Sequence, residues 1–150
     1  MIIREEIEIH APLPLVWKVF SCVEDWQEWN PVCRSCRYVE GSEMSEGACV
    51  SFVIRPFSVP IRISPRVVKW APGRELVWEG ERLGIHAVHA FTFREEKDKV
   101  ILLSEEKFSG PFVWLGRLIS LYFQLHQLTR KLLVSIKHEA ETRFQLRKKC

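Results

Sequence analysis

The sharpest chemical pattern in this chain is a histidine and a glutamate, His89 and Glu106, on two runs that read as neighbouring strands. If residues 96–99 form a symmetric hairpin loop, 93 opposes 102, 91 opposes 104, and 89 opposes 106. Directly opposed side chains stand roughly 4.5–5.5 Å apart at Cβ, close enough to pair. Both would lie on an inward apolar face, among Phe91, Phe93 and Phe108. A carboxylate in such surroundings must be partnered or neutralised. The pair would serve as a polar anchor for a ligand hydroxyl or carbonyl, or as an acid/base pair for an enolisation or dehydration. The plainer reading is structural, two inward polar groups satisfying each other, because buried perturbed pairs also occur without function.

Trp26, Trp29 and Asn30 form a second candidate. Aromatic rings at the end of a helical segment can stack on a flat ligand. They can equally plug a packing junction, as large aromatics usually do. Cys33 and Cys36 are spaced as a CxxC pair, but with no second pair and no spaced histidines a tetrahedral zinc site lacks ligands. If 33–40 is a strand, the two cysteines point to opposite faces and cannot chelate one ion. Redox use needs a helix N-terminus after the motif, and none is predicted. The chain has no GxSxG elbow, no GxGxxG, no phosphate loop and no HExxH. No metal and no cofactor are expected.

The elements that must position these residues can be read in turn. The length of 150 residues suits one domain, 1–150. Hydrophobic residues at 47% supply a core, and charged residues at 27% are ordinary for a globular protein. The net charge is +3, with both signs interspersed. The one basic cluster, Arg147-Lys148-Lys149, reads as a solvated helix end, so nucleic acid is not an expected partner. No run approaches the roughly 18 apolar residues that span a bilayer. Arg4, Glu5, Glu6 and Glu8 break up the uncharged stretch that a secretory signal needs. The five scattered cysteines have no disulfide-scaffold spacing, and the expected compartment is the cytosol.

Ile3, Ile7 and Ile9 alternate with charges, as a half-buried strand should. Leu13, Val16, Trp17 and Phe20 fall at helical spacing after Ala11-Pro12, with Pro14 in the first turn. A second short helix over 23–28 ends before Asn30-Pro31. Strands are predicted near 33–40, 47–56, 60–70, 74–81, 86–96 and 99–109, with turns at Gly41, Gly47, Pro60, Gly73, Gly84 and the 96–99 stretch. Short connections make the neighbours antiparallel. After Gly110-Pro111, residues Trp114, Leu118, Leu121, Leu125, Leu128, Leu132, Ile136 and Ala140 recur every three or four positions. They predict one helix of about 30 residues, about 45 Å long, able to cover the apolar face of the sheet.

This order of elements suggests an α+β helix-grip fold of about seven strands, β-α-α-β6-α, wrapped around the C-terminal helix. Ala11-Pro12, Val16-Trp17 and Trp26-Gln27-Glu28-Trp29-Asn30-Pro31 resemble the N-terminal signature of the polyketide cyclase/dehydrase family, within the SRPBCC or START-related superfamily. The stretch from His89 to Phe93, followed by Glu106 to Gly110, resembles that family's C-terminal signature. Cys22 departs from the pattern, standing where the family often has an aspartate; Ser21 is the residue expected to take over capping there. The resemblance implies a deep cavity between sheet and helix for a hydrophobic or aromatic, lipid- or polyketide-like ligand. The residues expected around that ligand are Trp26, Trp29, Asn30, Phe52, Trp78, His89, Phe91, Glu106, Phe108, Trp114, Leu118, Leu121, Tyr122 and Leu125. Two alternatives stand beside binding: a cyclase or aromatase using His89 and Glu106, and a co-chaperone-like interaction module with a filled core. The expected assembly is a monomer or homodimer.

Overall fold

A computed structural model describes residues 1–114 and 118–149; the side chains of Phe112, Trp114, Leu118 and Ile119 lie outside that description. The chain runs β1 (Ile2–Ile9), α1 (Leu13–Ser21), α2 (Trp26–Trp29), β2 (Arg34–Glu40), β3 (Cys49–Ile54), β4 (Ile61–Ile63), β5 (Arg66–Ala71), β6 (Glu75–Arg82), β7 (Ile85–Glu96), β8 (Lys99–Ser109) and α3 (Leu118–Lys149). The strands form one antiparallel sheet in the order β1-β8-β7-β6-β5-β3-β2, with β4 on β3. This is the helix-grip α+β architecture, with eight described strands where seven were expected.

The extra strand comes from a break. The run 60–70 reads as continuous, yet Ser64 and Pro65 fall between β4 and β5. Pro65 has no N–H to give to a ladder. Its carbonyl still accepts from Val50 N–H at 3.0 Å, so β4 and β5 pair in succession along β3. The second helix is also divided, into a 3-10 turn at Val23–Asp25 and the single turn of α2. No side chain caps the 3-10 turn, so Ser21 does not take the capping role expected of it. Asn30 leaves the helix in extended conformation, as a residue before proline must.

The apolar face of the sheet is shared between two covers. At one end α1 inserts Phe20, fully buried, against Phe91, Phe93, Trp17 and Trp26, with ring centroids 4.8, 4.9, 6.0 and 5.8 Å away. Edge-to-face and tilted aromatic packing of this kind adds to the gain from burial. α3 packs against β1, α1 and the 3-10 turn Pro56–Ser58, burying Leu132, Leu133, Ile136 and Ala140. Its 32 residues make it about 48 Å long. The helix therefore covers only part of the face that it was expected to cover alone.

The β7–β8 hairpin has the predicted symmetric loop, with Glu96 opposite Lys99 and His89 opposite Glu106. Where β8 ends, Gly110 sits at φ 125° close to the backbone of Gly84, in the β6–β7 turn. A Cβ on residue 110 would collide with the Gly84 carbonyl, so only glycine fits. No described helix is long and apolar enough to cross a membrane.

Candidate functional site

Where α1 leaves the sheet uncovered, a cavity of about 270 Å³ remains between the sheet and α3. Its floor is the inner face of β3, β4, β6 and β7: Phe52, Ile54, Ile61, Ile63, Trp78, Ile85, Ala87 and His89. β8 adds Glu106 and Phe108, and α3 closes the roof with Leu121, Leu125, Leu128, Thr129 and Leu132. Trp26 and Cys33 form the inner end wall.

His89 and Glu106 share this wall because β7 and β8 pair in that register, and residues two apart on a strand face the same side. Their contact is looser than a hydrogen bond: His89 Nδ1 lies 3.8 Å from Glu106 Oε1. The other ring nitrogen, Nε2, is 2.7 Å from Ser104 Oγ, and the ring stacks on Phe91 at 4.0 Å between centroids. Ser104 is fully buried, so this hydrogen bond fixes the imidazole. Burial pushes His89 down to about 3, leaving the ring neutral at neutral pH. Burial also pushes the Glu106 carboxyl up, to about 7. Burial thus disfavours the charged form of both groups, and the two are not a tight ion pair.

This pair gives the fold a characteristic pH response. Glu106 has a raised pKa, so between its ordinary 4.5 and about 7 the folded state holds more proton than the unfolded one. Its contribution to stability therefore falls as pH rises through that window. His89 has a lowered pKa, so its contribution is lost as pH falls from 6.5 towards about 3. Across the overlap the slopes oppose one another, each at most about 1.4 kcal/mol per pH unit. Glu106→Gln should uncover the histidine slope, making the variant gain stability relative to wild type as pH rises from 4.5 to 6.5. Urea unfolding at several pH values reads this directly; a constant difference between the two proteins would mean that the carboxyl titrates normally.

The structure divides the expected ligand set. Trp26, Phe52, Trp78, His89, Glu106, Phe108, Leu121 and Leu125 line the cavity. Trp29, Asn30, Phe91 and Tyr122 are not in its wall. Phe91 lies beneath His89, covered by Phe20. Asn30 acts locally instead. Its Oδ1 accepts from the N–H groups of Val32 and Cys33, at 2.9 and 3.3 Å, turning the chain into β2. Trp29 packs beside Trp26 with its Nε1 buried and without a partner among the described residues. Tyr122 stacks on His126, which hydrogen-bonds Glu5 on β1. The side chains of Trp114 and Leu118 lie outside the described residues.

Cys33 and Cys36 both point inward, contrary to the alternation expected of a strand. A bulge between Arg34 and Arg37, with Ser35 at φ 53°, inserts an extra residue and brings both cysteines to one side. Cys36 Sγ–H is 3.6 Å from the Cys33 carbonyl. Burial raises both thiols, Cys36 to about 11, so neither is a thiolate ready to bind metal or attack a substrate. His86 pairs with Glu79 at 3.5 Å on the outer face, away from His89. Thr129, Leu128, Leu132 and Cys33 were absent from the expected ligand set. Leu128 and Leu132 belong to the apolar stripe of α3 and could have been included by extending it two turns.

Comparisons with known proteins agree with this architecture. No curated protein sequence matches the chain. Among solved structures, it is similar to TTHA0849 from Thermus thermophilus, with TM-score 0.79 and 13% identity over 93% of this chain and 97% of the other. It is similar to the Zhui aromatase/cyclase from Streptomyces sp. R1128, with TM-score 0.77 and 14% identity over 95% and 94%. A START superfamily protein from Mycobacterium smegmatis matches with TM-score 0.68 and 14% identity over 97% of each chain. At these identities the likeness is one of fold. The family described as polyketide cyclase / dehydrase and lipid transport matches over residues 2–120, and the chain belongs to it.

Proposed function

We propose that this domain binds a hydrophobic or aromatic small molecule in the cavity between sheet and α3, with Glu106 and His89 holding a polar atom of the ligand. The observation that carries this reading is a largely apolar cavity of about 270 Å³ with His89 and the partly buried Glu106 carboxyl side by side in its wall. An open interior of this kind speaks against a core filled by its own side chains. Few, well-placed polar groups in an apolar pocket are what orient a small ligand. A ligand hiding about 200 Å² of apolar surface gains about 5 kcal/mol at roughly 25 cal/mol per Å², before the cost of association. The 3.8 Å gap between Nδ1 and Oε1 leaves room for a carbonyl or hydroxyl at hydrogen-bond distance from both.

A second reading is favoured by one observation, the carboxyl at about 7, which suits a group that both gives and takes a proton near neutral pH. In that reading Glu106 is the acid/base of a cyclase-type enolisation and neutral His89 positions the substrate carbonyl. One experiment addresses both. 1-Tetralone, an aromatic ketone, is titrated calorimetrically against tetralin, which lacks the oxygen. The binding reading expects the ketone to bind several-fold more tightly, with the preference lost in Glu106→Leu, which has no donor for the ketone oxygen. The second reading adds deuterium exchange at the ketone's α-carbon, seen by NMR in D₂O and absent in the variant. Failure of both compounds to bind would sink the two readings together.

A further inference from the structure

A second opening adjoins the cavity and has the opposite character. It is a cleft of about 180 Å³ lined by Pro31, Val32, Arg34, Arg55, Leu128 and Lys131. Arg34 comes from β2, Arg55 from the residue that follows β3, and Lys131 from α3. The register pairs Arg34 with Val53, so Arg34 and Arg55 are diagonal cross-strand neighbours. Three cations meet around this cleft, and no carboxylate is among the residues lining it.

Several basic side chains elsewhere are paired with carboxylates. Arg66 grips Glu40 with two hydrogen bonds of 2.7 and 2.8 Å, Lys99 meets Glu8 at 2.7 Å, and Lys137 meets Glu141 at 2.6 Å. Arg34, Arg55 and Lys131 make no ion pair within 4.0 Å among the described residues. Three like charges that line one small cleft without a paired carboxylate repel one another, and an anion relieves that repulsion. Two guanidinium forks and an ammonium match the oxygens and double charge of a phosphate monoester better than they match a single carboxylate.

The position of the cleft says what the anion is attached to. Val32 and Leu128 line both the cleft and the apolar cavity, so two apolar side chains form the partition between them. A molecule lying across that partition meets cations on one side and a greasy interior on the other. We propose that the cleft is the headgroup subsite of the same ligand site, and that the ligand is an amphiphile with a phosphate group: the phosphate stays among Arg34, Arg55 and Lys131 while the apolar body passes Val32 and Leu128 into the cavity. This rests on reading the cavity as the ligand site, and it narrows the ligand from any apolar molecule to an anionic one.

The test uses three probes on the full chain: decan-1-ol, decyl phosphate and inorganic phosphate, followed by tryptophan emission from Trp26 and Trp78 and by calorimetry. Decyl phosphate should bind at least tenfold more tightly than decan-1-ol, and inorganic phosphate at least tenfold more weakly than decyl phosphate. In the triple variant Arg34→Gln, Arg55→Gln, Lys131→Gln, the ratio between decyl phosphate and decan-1-ol should fall to near one. Raising the salt concentration should shrink the same ratio in wild type. Equal binding of the alcohol and its phosphate by wild type overturns the headgroup subsite and leaves the cavity reading standing. Absence of binding by decan-1-ol and decyl phosphate alike overturns the cavity reading and the subsite with it. Inorganic phosphate binding as tightly as decyl phosphate makes the cleft a site for free phosphate and overturns its link to the cavity. All three substituted residues are exposed, so the variant should fold, and a circular-dichroism spectrum is the check on that.

Discussion

Phe20→Ala should remove about 3–5 kcal/mol of stability, the range for deleting a buried aromatic side chain. Phe20 is fully buried and holds together rings from three elements: Trp17 on its own helix, Trp26 on α2, and Phe91 and Phe93 on β7. No single neighbour can move into the space, because each is held by others. Trp26 is tied through Nε1 to the carbonyls of Val19 and Phe20, and Phe91 lies between Phe20 and His89. The expected loss is a large share of the roughly 5–15 kcal/mol that keeps a domain folded. For a chain of this size it corresponds to a fall of about 10 °C in melting temperature. Calorimetry or a circular-dichroism melt would show it. A loss under about 1 kcal/mol would mean that α1 is not anchored through this ring.

Ala87→Phe tests the cavity from the other direction. Ala87 lies on the inner face of β7, with Gly80 opposite on β6 and Phe108 opposite on β8. It lines the cavity floor two residues from His89. A phenyl ring added here goes into empty space, so the usual penalty for overpacking, about 1–3 kcal/mol, should be largely avoided. Binding of 1-tetralone should weaken at least tenfold while the melting temperature stays within a few degrees. Phe20→Ala and Ala87→Phe thus separate what is packed from what is left open. The first should damage stability before ligand affinity, and the second the reverse. Unchanged affinity in Ala87→Phe would place the ligand elsewhere.

Much of this division was legible in the residues. The alternation along 86–96 and 99–109 and the short 96–99 loop suffice to set His89 opposite Glu106. The same alternation puts a small hydroxyl, Ser104, on the inner face between Leu102 and Glu106, and that hydroxyl is the group His89 actually bonds. The signal was present as a polar residue on an apolar face. What alternation does not carry is which cover reaches which part of the sheet. Phe91 reads as well suited to ligand contact as His89 does, and only the placement of Phe20 removes it. The inward turn of both Cys33 and Cys36 depends on a bulge at Ser35, a residue type that does not announce a left-handed backbone. The break at Ser64-Pro65 is marked by its proline, but apolar residues on either side carry the strand pattern across it.

The close approach of Gly84 and Gly110 has a consequence for how one stretch of the cavity wall is spaced. Gly84 lies between Leu83 and Ile85, and both of these line the cavity. Gly110 ends the strand that carries Glu106 and Phe108. With no side chain on residue 110, the two backbones come closer than a methyl group between them would allow. A change as small as Gly110→Ala, at an exposed position, acts as a wedge driven between β8 and the turn that carries Leu83 and Ile85. The spacing of this stretch of wall is therefore set by a hydrogen atom, at a position that an inventory of ligand-facing side chains would pass over.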